Sequence, residues 1–200
     1  MGCRWYLIVF FGCLCFYSCS FLSNGKYDDY GRWVPKHPRY RLKDKKGFVF
    51  PKQLDTTNIY KLEAIYDSSY GLVYPNDTLK WIGHGFMIEY NKRNYYLKFC
   101  SNRKLYELFK TKDGLGNEVA LTQEDFAPKN VLYSYYYCKN GKDVFIESFV
   151  HDDGWRGLYY KAKWELSKSG DTLTQTDFNT HEIYVKVNLP DSLKTVKNNF

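Results

Sequence analysis

The sequence lacks the short motifs by which many enzymes and cofactor-binding proteins are recognised. It contains no Gly-x-Ser-x-Gly elbow, no P-loop and no cysteine and histidine pair with a local catalytic signature. Its four histidines, His37, His84, His151 and His181, do not have the spacing of a metal site. The sequence therefore predicts no catalytic residue, no metal and no cofactor, and it favours a protein that is not an enzyme.

Excess positive charge is scarce in the part of the chain that is expected to fold. The net charge is +7, but Arg4 supplies +1 and residues 24–50 supply +5, from eight Lys or Arg against three Asp. Residues 51–200 hold twenty basic against nineteen acidic residues, which is +1. Such a domain lacks the basic groove that a phosphate backbone requires, so we expect no nucleic-acid partner. The run within 24–50, with Pro35 and Pro38, predicts a solvated, semi-rigid stalk.

Charge is absent from residues 5–22, a stretch of eighteen residues that follows Arg4 and has small side chains near its end. A positive residue, an apolar core and a small-residue end are typical of a secretory signal. The stretch is also long enough to remain as an uncleaved anchor, because a spanning helix needs about 17 to 25 residues. Both alternatives predict that the rest of the chain lies outside the cytoplasm.

Ser18-Cys19, at the end of this stretch, resembles the lipobox of bacterial lipoproteins, with Gly12-Cys13 as the alternative position. The resemblance implies cleavage before Cys19 and acylation of that cysteine. It divides the chain into a signal peptide at 1–18, a lipid-anchored basic stalk at 19–47 and an antiparallel β domain at 48–200. It also implies a membrane partner and a place in the cell envelope, at the bacterial outer membrane, facing the periplasm or the exterior.

From residue 48 onward, apolar residues alternate with polar ones instead of recurring at helical spacing. The clearest case is residues 158–166, where Leu158, Tyr160, Ala162, Trp164 and Leu166 alternate with mostly charged residues. Asn140-Gly141 is a strong hairpin signal between the apolar segments 131–138 and 144–150. Aromatic residues make up 20% of the chain and favour strands. About eight to ten antiparallel strands predict an all-β barrel or sandwich.

Two further segments have a predicted form. In the last strand, Ile183, Val185 and Val187 are expected on one face, with Glu182, Tyr184 and Lys186 on the other. One short helical turn is expected after Thr122, because Asp125 stands where a capping carboxylate would.

Consecutive hairpins after an anchor and a stalk, with Gly170-Asp171-Thr172-Leu173 opening the penultimate strand, resemble small diderm lipoproteins that carry a lipocalin-like domain. The resemblance covers residues 55–188 and implies a β-barrel that holds a small apolar ligand. An eight-stranded barrel is just wide enough either for one small ligand or for side chains alone. The residues expected to line the cavity are Phe86, Ile88, Leu97, Phe99, Ile146, Leu158, Tyr160 and Trp164.

A second interpretation of the β domain needs no ligand. Tyr133 and residues 135–137 put aromatic rings on both faces of one strand, so some rings lie either in a cavity or outside. With a filled core, the domain would be an envelope structural module or a protein-interaction module that uses exposed tyrosines. The sequence leaves both interpretations open.

Cys100 and Cys138 remain when the signal and the lipid anchor are set aside. In an oxidising compartment they either pair as a disulfide or stay as two separate buried thiols.

Four short sequences resemble the Asp-Ser/Thr-aliphatic signal for O-glycosylation of exported proteins in one bacterial group. Their acceptor residues are Thr56, Thr78, Thr172 and Ser192.

Overall fold

Alternation with period two produces strands over most of the described chain. The structure, a computed structural model, describes residues 24–28, 33–68, 71–74, 93–151, 157–175 and 180–194. The chain divides into two compact units, a smaller one of residues 1–39 and 149–160 and a larger one of residues 40–148 and 161–200.

Nine of the strands form one antiparallel sheet. They are β3 (Ile59–Asp67), β4 (Gly71–Tyr74), β5 (Arg93–Phe99), β6 (Lys104–Thr111), β7 (Leu132–Cys138), β8 (Asp143–His151), β9 (Gly157–Leu166), β10 (Thr172–Gln175) and β11 (Thr180–Val187). Strands β5 to β11 pair in chain order, β5 also pairs with β3, and β11 returns to pair with β3, while β4 pairs with β3 alone. Eight strands therefore close a barrel, which confirms the predicted all-β, lipocalin-like architecture.

The smaller unit contains a two-stranded antiparallel sheet of β1 (Gly25–Tyr27) and β2 (Trp33–Pro35). The Asn24 side chain accepts a hydrogen bond from the Gly157 backbone N–H at 2.7 Å and donates one to the carbonyl of the same residue. The Arg39 N–H donates to the Tyr159 hydroxyl at 2.7 Å. These bonds hold the first described residues to the start of β9 within this unit.

An aromatic base closes one end of the barrel in the larger unit. The Phe99 ring meets Tyr60 at 5.7 Å and Tyr136 at 5.1 Å, both edge to face, which is a favoured geometry for aromatic pairs. The Tyr60 hydroxyl donates to the Gly170 carbonyl at 2.9 Å, and the Tyr136 hydroxyl donates to the Cys100 carbonyl at 2.7 Å. All three rings are fully buried. The three rings pack together inside this end of the barrel, and the hydroxyls of both tyrosines have backbone acceptors.

A second hydrophobic cluster lies on the outer face of β3, β5 and β6. Its strand residues alternate with those of the aromatic base, and it is covered by a 3-10 helix (Gln123–Phe126) and by the short helix α1 (Asp191–Lys194). The cluster consists of Ile59, Tyr96, Tyr106, Leu108, Phe126, Val131, Leu189 and Leu193. The sheet is therefore buried on both faces here, and the helical turn expected after Thr122 is present in 3-10 form.

Residues 40–48 cover the outer face of β7. The Tyr40 ring lies 4.8 Å from that of Tyr135, and the Leu42 N–H donates to the buried Glu147 carboxylate at 2.8 Å. The Tyr137 hydroxyl donates to the Lys46 carbonyl at 2.9 Å. Tyr40, Leu42 and the backbone at Lys46 are thus packed on the barrel, because the outer tyrosines of β7 supply a surface for them.

The side chains of the last strand alternate between two faces as predicted, and the face of Tyr184 is the inner one. Tyr184 is buried, Val185 is half-buried and Val187 is exposed. Apolar and amphipathic residues alternate in this strand, and the long tyrosine side chain takes the inner position.

The Asn140-Gly141 turn lies between β7 and β8 as predicted. No helix within the described ranges is long and apolar enough to cross a membrane.

Replacement of Gly170 by Ala should destabilise the barrel far more than replacement of Gly141. Both glycines have positive φ, +77° and +76°, so each alanine costs ~1 kcal/mol in backbone conformation. Gly141 has open space around it, whereas a Cβ at Gly170 would overlap the Gln53 carbonyl oxygen. Urea unfolding should give a loss of ~1 kcal/mol for Gly141→Ala and at least ~2 kcal/mol more for Gly170→Ala. Equal losses would contradict this packing.

Candidate functional site inside the barrel

The side chains inside the barrel are identified by strand register, because directly paired residues of antiparallel strands point to the same face. Tyr60 of the aromatic base pairs with Leu97, and Leu97 pairs with Glu107. Glu107 therefore lies inside the barrel, on the same face as the base.

Two serines bind Glu107 inside the barrel. The hydroxyl of Ser134 lies 2.5 Å from Glu107 Oε1, and the hydroxyl of Ser148 lies 2.9 Å from the same oxygen. The two hydroxyls are 2.7 Å apart. These three residues come from β6, β7 and β8 and form a polar cluster across three neighbouring strands.

A second carboxylate, Glu182, enters from the opposite wall of the barrel. It pairs with the buried Ile65 and shares a face with Tyr184, two residues along β11. Burial and the negative charge of Glu107 raise the pKa of Glu182 to about 7 from an ordinary value of 4.5, although a hydrogen bond with Tyr184 lowers it. The interior thus holds two acidic groups, and Glu182 is poised to change charge near neutral pH.

The ring of Trp164 contacts the ring of Tyr184, which lies on the same face of β11 as Glu182. Trp164 pairs with Gln175, and its ring meets that of Tyr184 at 5.6 Å across the intervening strand β10. The side chain is only 6% exposed, and its Nε1 atom has no hydrogen-bond partner. A buried N–H without an acceptor is energetically unfavourable. Trp164 therefore presents an unused donor beside the acidic group.

Exposure changes along the interior. The aromatic base is fully buried, whereas Glu107 and Glu182 are half-buried. Further along the same face, Leu132 is 38% exposed and Phe109 is 44% exposed, with the Arg93 guanidinium 4.9 Å from the centre of the Phe109 ring. The barrel is closed at its base, and its inner surface becomes accessible to water beyond the acidic groups.

The structure brings together four of the eight residues predicted to line a cavity. Leu97, Phe99, Ile146 and Trp164 are buried on inward-facing strand positions. Leu158 is exposed and Tyr160 is half-buried, and both belong to the smaller unit. Phe86 and Ile88 lie outside the described residues. Phe99 belongs to the filled base, so the candidate site is reduced to the interior above it.

The two cysteines of the β domain are free thiols in the structure. Cys138 is buried at the end of β7, and Cys100 is half-buried after β5. Burial raises the pKa of the Cys100 thiol to about 11, and it also raises the pKa of Cys138. Both thiols are therefore protonated at neutral pH and poorly reactive. Of the two alternatives, the structure has the separate thiols, and Cys19, the predicted lipid-attachment residue, lies outside the described residues.

The predicted O-glycosylation acceptors differ in accessibility. Ser192 is exposed in α1, while Thr56 and Thr172 are half-buried. Thr78 lies outside the described residues. Among the three described acceptors, Ser192 is the one most accessible to a transferase.

Sequence reasoning missed the two interior glutamates. Glu107 stands between Leu105 and Phe109 at the inward spacing of its strand, which is a detectable signal of a charge on an apolar face. Glu182 had no such signal, because the alternation in its strand does not indicate which face is inside. No group of three or more His, Cys, Asp or Glu that would hold a metal occurs in the part of the chain that the structure describes.

Comparison with known proteins gave no match to a protein family, a curated protein or a solved structure. The interpretation of the site therefore rests on the geometry and chemistry of its own residues.

Replacement of Glu182 by Gln should change how stability depends on pH. Because folding raises the pKa of Glu182, the folded state binds this proton more tightly than the unfolded state. Its contribution to stability is present below about pH 4.5 and is lost as the pH rises to about 7. Glu182→Gln should remain neutral and gain ~2 kcal/mol over the wild type at pH 8, less than the ~3 kcal/mol of the full shift because the side chain keeps some contact with water.

Urea unfolding of both proteins at pH 5, 6, 7 and 8 would measure this difference. The exposed Glu165, on the outward face of β9, provides the control Glu165→Gln, which should follow the wild type at every pH. A Glu182→Gln difference that stays constant across the range would contradict the elevated pKa.

Proposed function

We propose that this chain is a lipid-anchored extracytoplasmic protein that binds a small ligand inside its barrel, and that it acts by binding rather than by catalysis. One observation carries the proposal: the interior changes from a sealed aromatic base to half-buried polar groups and then to exposed apolar residues. A closed base with an accessible upper interior is the shape that ligand-binding barrels use.

The anchor and the location are proposed from the sequence. The eighteen uncharged residues at 5–22, the small residue before Cys19 and the positive Arg4 favour an exported, acylated chain at the bacterial outer membrane. The basic residues that follow add attraction to anionic lipid, about 1 kcal/mol for each one near the surface. The membrane is thus the proposed partner of the N-terminus.

A second candidate function is an envelope structural or protein-interaction module with a filled core. It is favoured by Tyr133, which is 42% exposed on the outer face of β7 with the Lys104 ammonium 5.6 Å from the centre of its ring. Exposed amphipathic rings of this kind are frequent in protein interfaces. The two candidate functions differ in whether the barrel, purified from its native host, contains a bound molecule.

Native mass spectrometry of the full-length chain, purified from membranes, should show a mass above that of the acylated polypeptide. The extra mass should disappear on denaturation, because a ligand held inside the barrel is released when the walls separate. A single mass that is identical before and after denaturation, in preparations from the native host, would favour the interaction module.

Replacement of Cys19 by Ala should abolish incorporation of a labelled fatty acid and release the chain from the membrane fraction. Acylation requires the thiol at the cleavage position. Cys13→Ala and Cys15→Ala are matched controls in the same apolar stretch and should remain labelled. Labelling of Cys19→Ala would show that another residue carries the anchor.

A further inference from the structure

Two carboxylates inside the barrel are not explained by a purely apolar ligand. Glu107 and Glu182 enter from β6 and β11, and the negative charge of Glu107 acts on Glu182. Ionised carboxylates that face each other in a partly desolvated interior repel strongly. A bound cation would remove this repulsion, whereas a neutral apolar molecule would increase it by excluding water.

Three cationic side chains in the described part of the larger unit contact other groups. Lys186 pairs with Asp171 at 2.6 Å, and Lys110 pairs with Asp125 at 2.8 Å. Arg93 lies over the Phe109 ring on the exposed part of the inner face. Glu107 instead accepts hydrogen bonds from serine hydroxyls, which stabilise a carboxylate without neutralising it.

The unpartnered donor of Trp164 is an independent indication of a ligand. Its Nε1 atom is buried and lacks an acceptor, and its ring contacts Tyr184, which is hydrogen-bonded to Glu182. An indole N–H can only donate, so the missing group is an acceptor such as an oxygen. The Trp164 and Tyr184 rings also offer faces that attract an ammonium group.

We infer that the ligand of this barrel is an organic ammonium compound, a protonated amine on an apolar body with an oxygen acceptor near the amine. The ammonium group would bind Glu182 and Glu107, the oxygen would accept from Trp164, and the apolar body would extend along Phe109 and Leu132. This inference rests on the proposed function, since it names the class of ligand for the same interior.

Four water-soluble probes with the same six-carbon chain test the inference: hexylamine, 2-aminohexan-1-ol, hexan-1-ol and hexanoate. Isothermal titration calorimetry would use the full-length chain in phosphatidylcholine nanodiscs at pH 8, with the signal of empty nanodiscs subtracted. Hexylamine should bind at least about 10-fold more tightly than hexan-1-ol or hexanoate, because a charge-assisted hydrogen bond contributes ~1.5 to 3 kcal/mol. The amino alcohol should bind about 3- to 10-fold more tightly than hexylamine.

Variants assign these differences to the named residues. Glu182→Gln should reduce hexylamine affinity to that of hexan-1-ol, while the control Glu165→Gln leaves it unchanged. Trp164→Phe keeps a ring but removes the donor, so it should abolish the advantage of the amino alcohol over hexylamine. Circular dichroism would establish that each variant is folded. If a variant is not folded, the order of the four probe affinities for the wild-type protein tests the inference alone.

The outcomes separate the inference from the function on which it rests. Equal or tighter binding of hexan-1-ol or hexanoate would overturn the assignment of an ammonium ligand and leave a binding barrel in place. Failure of all four probes, together with a bare chain in native mass spectrometry, would overturn the proposed function itself.

Discussion

Closure of the sheet between β11 and β3 is the constraint on which the other features depend. Eight residue pairs join these strands, from Thr180 with Asp67 to Val187 with Ile59. Closure removes both edges of the sheet and divides its side chains strictly into inner and outer sets. The register irregularity in this pairing leaves Glu63 without a directly paired residue, and Glu63 is exposed. Because of that extra residue, the next inward position of β3 after Leu62 is Ile65, and Ile65 pairs with Glu182.

The aromatic base fills one end of the barrel that this closed sheet forms. Tyrosine is well suited to the position because its ring fills the width of the barrel while its hydroxyl reaches a backbone carbonyl on another strand connection. Tyr60 and Tyr136 both do so, at Gly170 and Cys100. Each hydrogen bond also fixes a turn at the closed end. The base therefore positions the turns and limits the depth to which a ligand can enter.

Strands, hairpins and the barrel class could be predicted from the sequence, because alternation and the Asn140-Gly141 turn are local signals. The inner face could not always be predicted. In this protein the outer face is also buried, by α1 on one side and by residues 40–48 on another, so both faces carry apolar and aromatic residues. Alternation then identifies two faces without indicating which is inside, as in the last strand. The meeting of Glu107 and Glu182 follows only from closure, since 75 positions separate them in the chain.

Lysines of the basic segment cover tyrosine rings on the outer face of β7. Rings on the outer face of β7 need a cover, and lysine stems with charged ends provide one that remains soluble. Lys43 and Lys45 lie over the Tyr135 and Tyr137 rings at 5.9 and 4.4 Å. These two lysines place positive charge on the outer surface, while Glu107 and Glu182 lie inside. The proposed ammonium ligand would supply the positive charge that faces Glu107 and Glu182 inside the barrel.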